Sequence, residues 1–242
     1  MSCLRVCVLY PDTMNLYADR GNLLFLGQRC TRRGIGFELE LAGIGEGIDP
    51  DRHDLFYLGG GQDADQRRCA DDLVGVKRDA LMAAAERGAV FLGICGGYQL
   101  FGRSYAIGSD SLPGLGLLDV STVREAGQRL VGNVTIDVEV LPDETRSLAG
   151  FENHAGRTFL GPRADPLGRA GPGHGNNGTD GTEGARRGNI VGTYLHGPLL
   201  PKNVWFADWL IRRALAIDDL EALPDDLERM VHERACSLGR AS

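Results

Sequence analysis

Cys95 stands in the stretch Ala89-Val90-Phe91-Leu92-Gly93-Ile94-Cys95-Gly96-Gly97-Tyr98-Gln99-Leu100-Phe101. An apolar run suited to a strand buried on both faces turns through glycines into residues that can start a helix. This is a strand–turn–helix elbow of the form Gly-x-Cys-x-Gly, with cysteine in the place of serine. The flanking glycines remove Cβ atoms that would clash on so sharp a turn. A cysteine there sits at a helix N-terminus, whose unpaired N–H groups and dipole favour the thiolate. The same N–H groups, notably that of Gly96, can receive a developing oxyanion. The chemistry implied is acyl transfer, in which a thiolate attacks a carbonyl and water later resolves the thioester. Cys3, Cys7, Cys30, Cys69 and Cys236 lack such flanks and read as small apolar side chains.

A cysteine nucleophile needs a base that holds it as thiolate and then protonates the leaving amine. Of the five histidines, His53, His174 and His232 lie in polar contexts and are expected to be solvated, which leaves His154 and His196. His196 follows the apolar run Asn189–Leu195 and is fixed by Gly197-Pro198, so it falls at the carboxyl end of a strand. That is where α/β sheets carry their sites, and His196 is preferred on that ground. An acid normally orients such an imidazole, yet the residue two beyond His196 is Pro198, so no acid lies next in line.

Gly59-Gly60-Gly61 follow directly on the buried run Asp54–Leu58. Three glycines there imply backbone that approaches something closely. A phosphate loop would continue into Gly-Lys-Ser/Thr, a triplet found nowhere in the chain. An oxyanion donor facing Cys95 is the better reading, beside a plain strand-end turn. Arg129, just before the run Leu130–Leu141, is either an ordinary surface arginine or a clamp for a carboxylate.

The elements that must position these residues alternate. Leu4–Tyr10, Gly36–Leu41, Asp54–Leu58 and the elbow run read as strands, separated by helical patterns over Asn15–Arg33 and Asp65–Arg87. Strands alternating with helices predict an α/β fold, a mostly parallel sheet with helices on both faces. After Arg103 the texture changes. Leu115–Val120 and Leu130–Leu141 look like strands with few helices between them, and Val134, Ile136, Val138 and Val140 alternate with polar residues, so antiparallel strands are expected in the second half. Gly161–Gly188 is rich in glycine and proline, and is expected to be a functional lid or a mobile hairpin. Asn189–Leu195 returns to a strand, Lys202–Ala216 is a helix with an apolar stripe, and Glu221–Arg240 forms a further helix. Residues 1–217 are expected to make one domain and 218–242 a helical tail of unspecified docking.

Composition narrows the field. The 242 residues are 43% hydrophobic and 24% charged, ordinary for a globular protein. A net charge of −7 offers no basic surface for nucleic acid. The six cysteines form no Cys-x-x-Cys pair and no metal is expected. The first ten residues lack the pattern of a signal peptide, and no apolar stretch approaches the ~20 residues that span a bilayer, so a cytoplasmic, non-transmembrane protein with reduced thiols is expected.

The motif Gly93-Ile94-Cys95-Gly96-Gly97-Tyr98-Gln99 together with Gly192-Thr193-Tyr194-Leu195-His196-Gly197 resembles class I glutamine amidotransferases, in the branch related to cobyric acid synthase. The stretches Leu9–Tyr17, Tyr57–Asp63, Asn153–Thr158 and Gly175-Asn176-Asn177-Gly178 are similar to the glutaminase subunits of lipid II isoglutaminyl synthases, the GatD type. The resemblance runs from about Val6 to Trp209 and implies a flavodoxin-like sheet. It implies Cys95 as nucleophile, His196 as base, Arg129 as the binder of L-glutamine, and Gly60 and Gly96 as oxyanion donors. No cofactor is implied for this chain. A Mur-ligase-like partner, the MurT type, would form a heterodimer with it and use ATP to activate the α-carboxylate of D-glutamate in lipid II, whose lipid would bring the pair to the inner membrane face. Glutamate at the position of Pro198 completes the triad elsewhere in the superfamily. Its absence implies either a Cys–His dyad or an acid lent by the partner. The alternatives are an amidotransferase for another acceptor such as a corrinoid, whose relatives carry a fused nucleotide-binding domain for which this chain has neither motif nor room, a non-catalytic module of the same fold, or a cysteine peptidase.

Overall fold

Val90–Ile94, buried along its whole length, lies near the middle of a six-stranded sheet. The computed structural model describes residues 2–15, 19–125, 127–141 and 144–241. In chain order the first half runs β1 (Cys3–Leu9), α1 (Arg20–Thr31), β2 (Gly36–Ala42), β3 (Leu55–Leu58), α2 (Asp63–Gly75), α3 (Arg78–Glu86), β4 (Val90–Ile94) and α4 (Gly96–Phe101). Then come β5 (Ser104–Ile107), β6 (Asp110–Pro113), β7 (Val120–Arg124), β8 (Leu130–Leu141), β9 (Glu144–His154) and β10 (Gly156–Leu160). The chain closes with β11 (Gly168–Arg169), β12 (Thr182–Glu183), β13 (Ala185–Arg187), β14 (Ile190–Thr193), α5 (Leu199–Lys202), α6 (Val204–Leu215) and α7 (Asp226–Gly239).

The main sheet has the order β13-β14-β4-β3-β1-β2 and is parallel except for β13. Its inner strands are continuous apolar runs because helices cover both faces, as the alternation of elements predicts. Phe56 and Phe91 stack across β3 and β4 with centroids 4.8 Å apart. Leu58 is level with Gly93 and Thr193 with Ile94, so β3, β4 and β14 end together at one rim. The antiparallel strands of the second half gather in two further sheets, β10-β7-β5-β6 and β12-β11-β8-β9. The long hairpin β8–β9 closes over one side of that rim.

Several elements differ from the expectation. The helix after β1 begins at Arg20 rather than near Asn15, and Leu16 of its expected pattern lies outside the described residues. The single helix expected over Asp65–Arg87 is two, broken at Val76-Lys77. The break lets Lys77 turn inward to the Asp72 carboxylate at 2.5 Å and the Gly43 carbonyl at 2.8 Å. Leu115, Leu117 and Leu118 are buried in a loop rather than a strand, and the strand is Val120–Arg124. Gly161–Gly188 is neither a free lid nor a plain hairpin. It carries three short strands, and Asn176, Asn177 and Glu183 are buried. Asn176 donates to the Gly184 carbonyl at 2.9 Å and accepts from the Tyr98 hydroxyl at 3.1 Å, while Glu152 accepts from the Gly175 N–H at 2.9 Å. The side chain of Val140 lies outside what is described.

Candidate active site

Cys95 sits on the turn between β4 and α4 with φ 51° and ψ −102°, a conformation that few side chains adopt. Two backbone bonds hold the turn to its neighbours: the Cys95 N–H donates to the Thr193 carbonyl at 2.8 Å, and the Gly97 N–H donates to the Gly59 carbonyl at 3.1 Å. Glycine is required at 97, because a Cβ there would overlap the Leu58 carbonyl oxygen. Neighbouring strands thus fix the elbow from both sides, and the thiol emerges at the carboxyl rim of the sheet.

His196, three residues beyond β14, reaches the same place. It is buried and in hydrogen-bonding contact with Cys95. Burial opposes its charged form, but the Cys95 charge beside it and the Asp19 carboxylate push its pKa up to about 10. Its ring Cε1 lies 3.0 Å from where a Cβ on Gly60 would stand, and the Cys95 Cβ lies 3.7 Å from that point, so side-chain-free backbone is needed at 60. His196 Nδ1 is 3.4 Å from Asp19 Oδ1. Asp19 Oδ2 accepts the Gly60 N–H at 2.8 Å.

That last bond revises one expectation. Gly60, anticipated as an oxyanion donor, has its N–H engaged by Asp19. The Gly61 nitrogen instead lies 3.0 Å from the Cβ position of Gly96, and among the described residues neither the Gly61 nor the Gly96 N–H has a hydrogen-bond partner. The two amides next to the thiol that can receive an oxyanion are therefore those of Gly61 and Gly96.

A cleft of about 630 Å³ opens onto Cys95, ample for one amino acid. Arg129 lines it, its Nε donating to Asn153 Oδ1 and one terminal nitrogen to the Asn153 carbonyl, each at 2.7 Å. This leaves the other end of the guanidinium fork for a carboxylate. Asp63 and Arg124 pair on the cleft wall, and the Tyr105 hydroxyl donates to Asp63 at 2.9 Å. Gln99 accepts from Gln66 at 2.9 Å and donates to the Tyr194 hydroxyl at 3.0 Å, which orders the floor.

His154 borders the cleft but is built into the wall. Its ring stacks on Tyr194 at 3.5 Å, Nδ1 meets the Gly156 carbonyl at 2.8 Å, and Nε2 lies 3.6 Å from Glu152. Burial pushes its pKa down. The other histidines, expected to be solvated, are held. His53 is buried with Nε2 3.3 Å from Glu40, His174 binds the buried Glu152, and His232 Nδ1 meets the Lys202 carbonyl at 2.8 Å. Cys7, Cys30 and Cys69 are buried thiols whose pKa burial raises, as small apolar side chains should be. Sequence reasoning missed Asp19, Asp63, Arg124 and Glu152. Two of them gave a signal: Asp63, two residues after the glycine triplet, and Glu152, in the segment Phe151–Thr158 that gathers ionisable groups. Among the described residues no group of side chains could hold a metal ion, and no helix is long and apolar enough to cross a membrane.

The model of the CobB/CobQ-like glutamine amidotransferase domain matches residues 5–204. The chain is 38% identical over 218 residues to the GatD subunit of the glutamine-hydrolysing lipid II isoglutaminyl synthase of Staphylococcus aureus strain N315, a match covering 90% of this chain and 86% of that protein. The corresponding subunit of Streptococcus pneumoniae strain R6 is 36% identical, with 88% and 80% covered. Cobyric acid synthase of Methylorubrum populi is 35% identical over 76% of this chain but only 37% of its own length. Among solved structures, PurLQS of Thermotoga maritima shares the fold, with a TM-score of 0.59 and 23% identity over 81% of this chain and 88% of that one. A strained cysteine elbow, a histidine against it and a matching family model over most of the length lead to one assignment: the chain belongs to the CobB/CobQ-like glutamine amidotransferase domain family.

Proposed function

We propose that this chain is the glutamine-hydrolysing subunit of a lipid II isoglutaminyl synthase. The observation that carries the reading is the pairing of Cys95, on its strained turn, with the buried His196, beside a cleft that Cys95 and Arg129 both line. The near-full-length similarity to two subunits of that name supports the acceptor. Arg129 binds the α-carboxylate of L-glutamine and points the side-chain amide at the thiolate. Sulfur adds to the carbonyl carbon, and the oxyanion is held by the N–H groups of Gly61 and Gly96, where losing one donor costs ~3–4 kcal/mol of transition-state stabilisation. The His196 imidazolium gives its proton to the departing nitrogen, and ammonia leaves. Neutral His196 then takes a proton from water as the water adds to the thioester, and glutamate and the thiol are regenerated.

The ammonia serves a partner subunit of the Mur-ligase type. With ATP, that subunit amidates the D-glutamate α-carboxylate of lipid II. Both relatives are named as subunits, which supports a partner. The test is glutamine-dependent ammonia release by this chain, alone and then with the partner, ATP and lipid II. Amidated lipid II as the product supports the reading. Glutamine hydrolysis with amidation only of another acceptor, such as a corrinoid, overturns the choice of acceptor. No hydrolysis in any mixture overturns the enzyme itself.

A further inference from the structure

Free glutamine brings three groups to the cleft: a side-chain amide for Cys95, an α-carboxylate for Arg129, and an α-ammonium. A cation that gives up water on entering a cleft must be met by acceptors, and an anion serves best. Among the described residues that line the cleft, Asp63 is the one carboxylate. We propose that Asp63 binds the α-ammonium of L-glutamine and makes the site specific for a free amino acid. Amides whose α-nitrogen is missing, or acylated as in a peptide, would then be rejected. The inference rests on the glutaminase reading of Cys95 and His196.

Position supports the assignment first. Asp63 opens α2 two residues after Gly61, whose N–H is one of the pair that can receive the oxyanion. Its carboxylate accepts the Tyr105 hydroxyl at 2.9 Å, and that buried tyrosine lies within reach of the charges of both Cys95 and Arg129. Only a short ethylene spacer separates the α-carbon of glutamine from its amide carbon, so the group that holds the ammonium must stand near both. The neighbouring acceptors, next, are engaged. Asn153 gives its side-chain oxygen and its carbonyl to Arg129, the Gly156 carbonyl meets His154 Nδ1, and Gln99 Oε1 accepts from Gln66. Gln66 Oε1 has no partner but is closed off from solvent. Finally, Asp63 is not spent on its own helix. Asp65 serves that end, accepting the Gln62 N–H at 3.3 Å in a capping box. The Asp63 carboxylate turns instead to Tyr105 and Arg124, which hold it in place and leave lone pairs for a further donor. Arg124 is half exposed, so water screens its counter-charge and the carboxylate still attracts a cation. With the amide at Cys95, the carboxylate at Arg129 and the ammonium at Asp63, three points fix the α-carbon, and only the L enantiomer reaches all three.

The test follows ammonia release by the full chain with its partner subunit from two substrates: L-glutamine, and glutaramate, which is glutamine without its α-amino group. In the parent, kcat/KM for L-glutamine should exceed that for glutaramate by about 10–150-fold, the range for one hydrogen bond to a charged group. Asp63→Asn keeps the size and can still accept from Tyr105, but offers the ammonium no anion. It should lose that factor on L-glutamine and change glutaramate by no more than about threefold, so the preference should collapse. Asp63→Glu, which keeps the charge, should restore part of it. A parent that hydrolyses glutaramate as well as L-glutamine overturns the proposal, and this comparison needs no variant to fold. Loss of both substrates alike in Asp63→Asn also overturns it, and would make Asp63 a prop for Arg124. A preference that survives intact in Asp63→Asn overturns it too. Cys95→Ala in parallel keeps the two readings apart. If Cys95→Ala is dead on L-glutamine while Asp63→Asn keeps the parent's preference, only this inference falls. If the parent releases no ammonia from L-glutamine, or Cys95→Ala releases as much, the glutaminase reading falls and takes this inference with it.

Discussion

Arg129 shows how much one side chain at the cleft mouth can decide. Two of its nitrogens are spent on Asn153, so the guanidinium is held as a fork rather than left as a swinging charge. A charge-assisted bond of this kind is worth ~1.5–3 kcal/mol, so Arg129→Ala should raise KM for glutamine by about 10–150-fold and leave kcat nearly intact. Arg129→Lys should recover little, because an ammonium cannot reproduce the bidentate geometry. A loss confined to kcat would show that Arg129 acts on the reaction rather than on binding. The residues that sequence could find here are those with local signatures: glycines around Cys95, a strand end before His196. Asp19 had none, because its meaning arises only when β1 and β14 end at the same rim. The expectation at Gly60 failed for a related reason, since spacing cannot say which way a peptide N–H points. His53 and His174 looked solvated because their immediate neighbours in sequence are polar, whereas the carboxylates they meet, Glu40 and Glu152, come from other elements.

At the scale of elements, the break between α2 and α3 is a designed feature of the site's support. The periodicity of Asp65–Arg87 runs through it without a signal, because Lys77 is a good helix former and looks exposed. In the fold it is fully buried, 4.8 Å over the Tyr10 ring, and ion-paired to Asp72. Asp72 also accepts the Tyr10 hydroxyl at 2.6 Å and the Gly45 N–H at 2.7 Å. Despite burial, Lys77 and these donors hold its carboxyl below the usual range. The cluster clamps Tyr10, at φ 52°, where the chain leaves β1 towards Asp19. Breaking a buried pair from one side costs ~3–5 kcal/mol. Asp72 keeps two donors, so Lys77→Met should cost about 3 kcal/mol, the lower end of that range. In a chain of this length, that lowers Tm by about 6–12 °C in a thermal scan. A fall of only a degree or two would mean that Tyr10 and Gly45 suffice alone. The parallel strands were legible because continuous apolar runs mark strands covered on both faces. The short strands β5 and β6 and the loop around Leu115 were not, since a buried loop and a buried strand look alike over six residues.

At the scale of the whole molecule, the C-terminal helix is tied to the site through charge and through a sheet. Arg29 of α1, almost fully buried, makes bidentate bonds to Asp208 of α6 and to Asp225 just before α7. Beyond that knot α7 lies along β8 and β9, with the Thr135 hydroxyl donating to the Cys236 carbonyl at 3.1 Å. The same hairpin carries Asn153, which holds Arg129. Arg29 holds the Asp225 carboxyl below its ordinary range despite partial burial. A depressed carboxylate adds stability that is present above its ordinary pKa, near 4, and lost as pH falls through the lower folded-state value. Acidification below about pH 4 should therefore loosen α7, and Asp225→Asn should do so at neutral pH. Hydrogen exchange reads both cases. Amides of 226–239 should lose protection first, those of β8 and β9 should follow in part, and KM for glutamine should rise while kcat holds. Unchanged protection of 226–239 in Asp225→Asn would show that packing on the sheet alone fixes the helix. Protection lost without any change in KM would show that the hairpin holds Arg129 without support from α7.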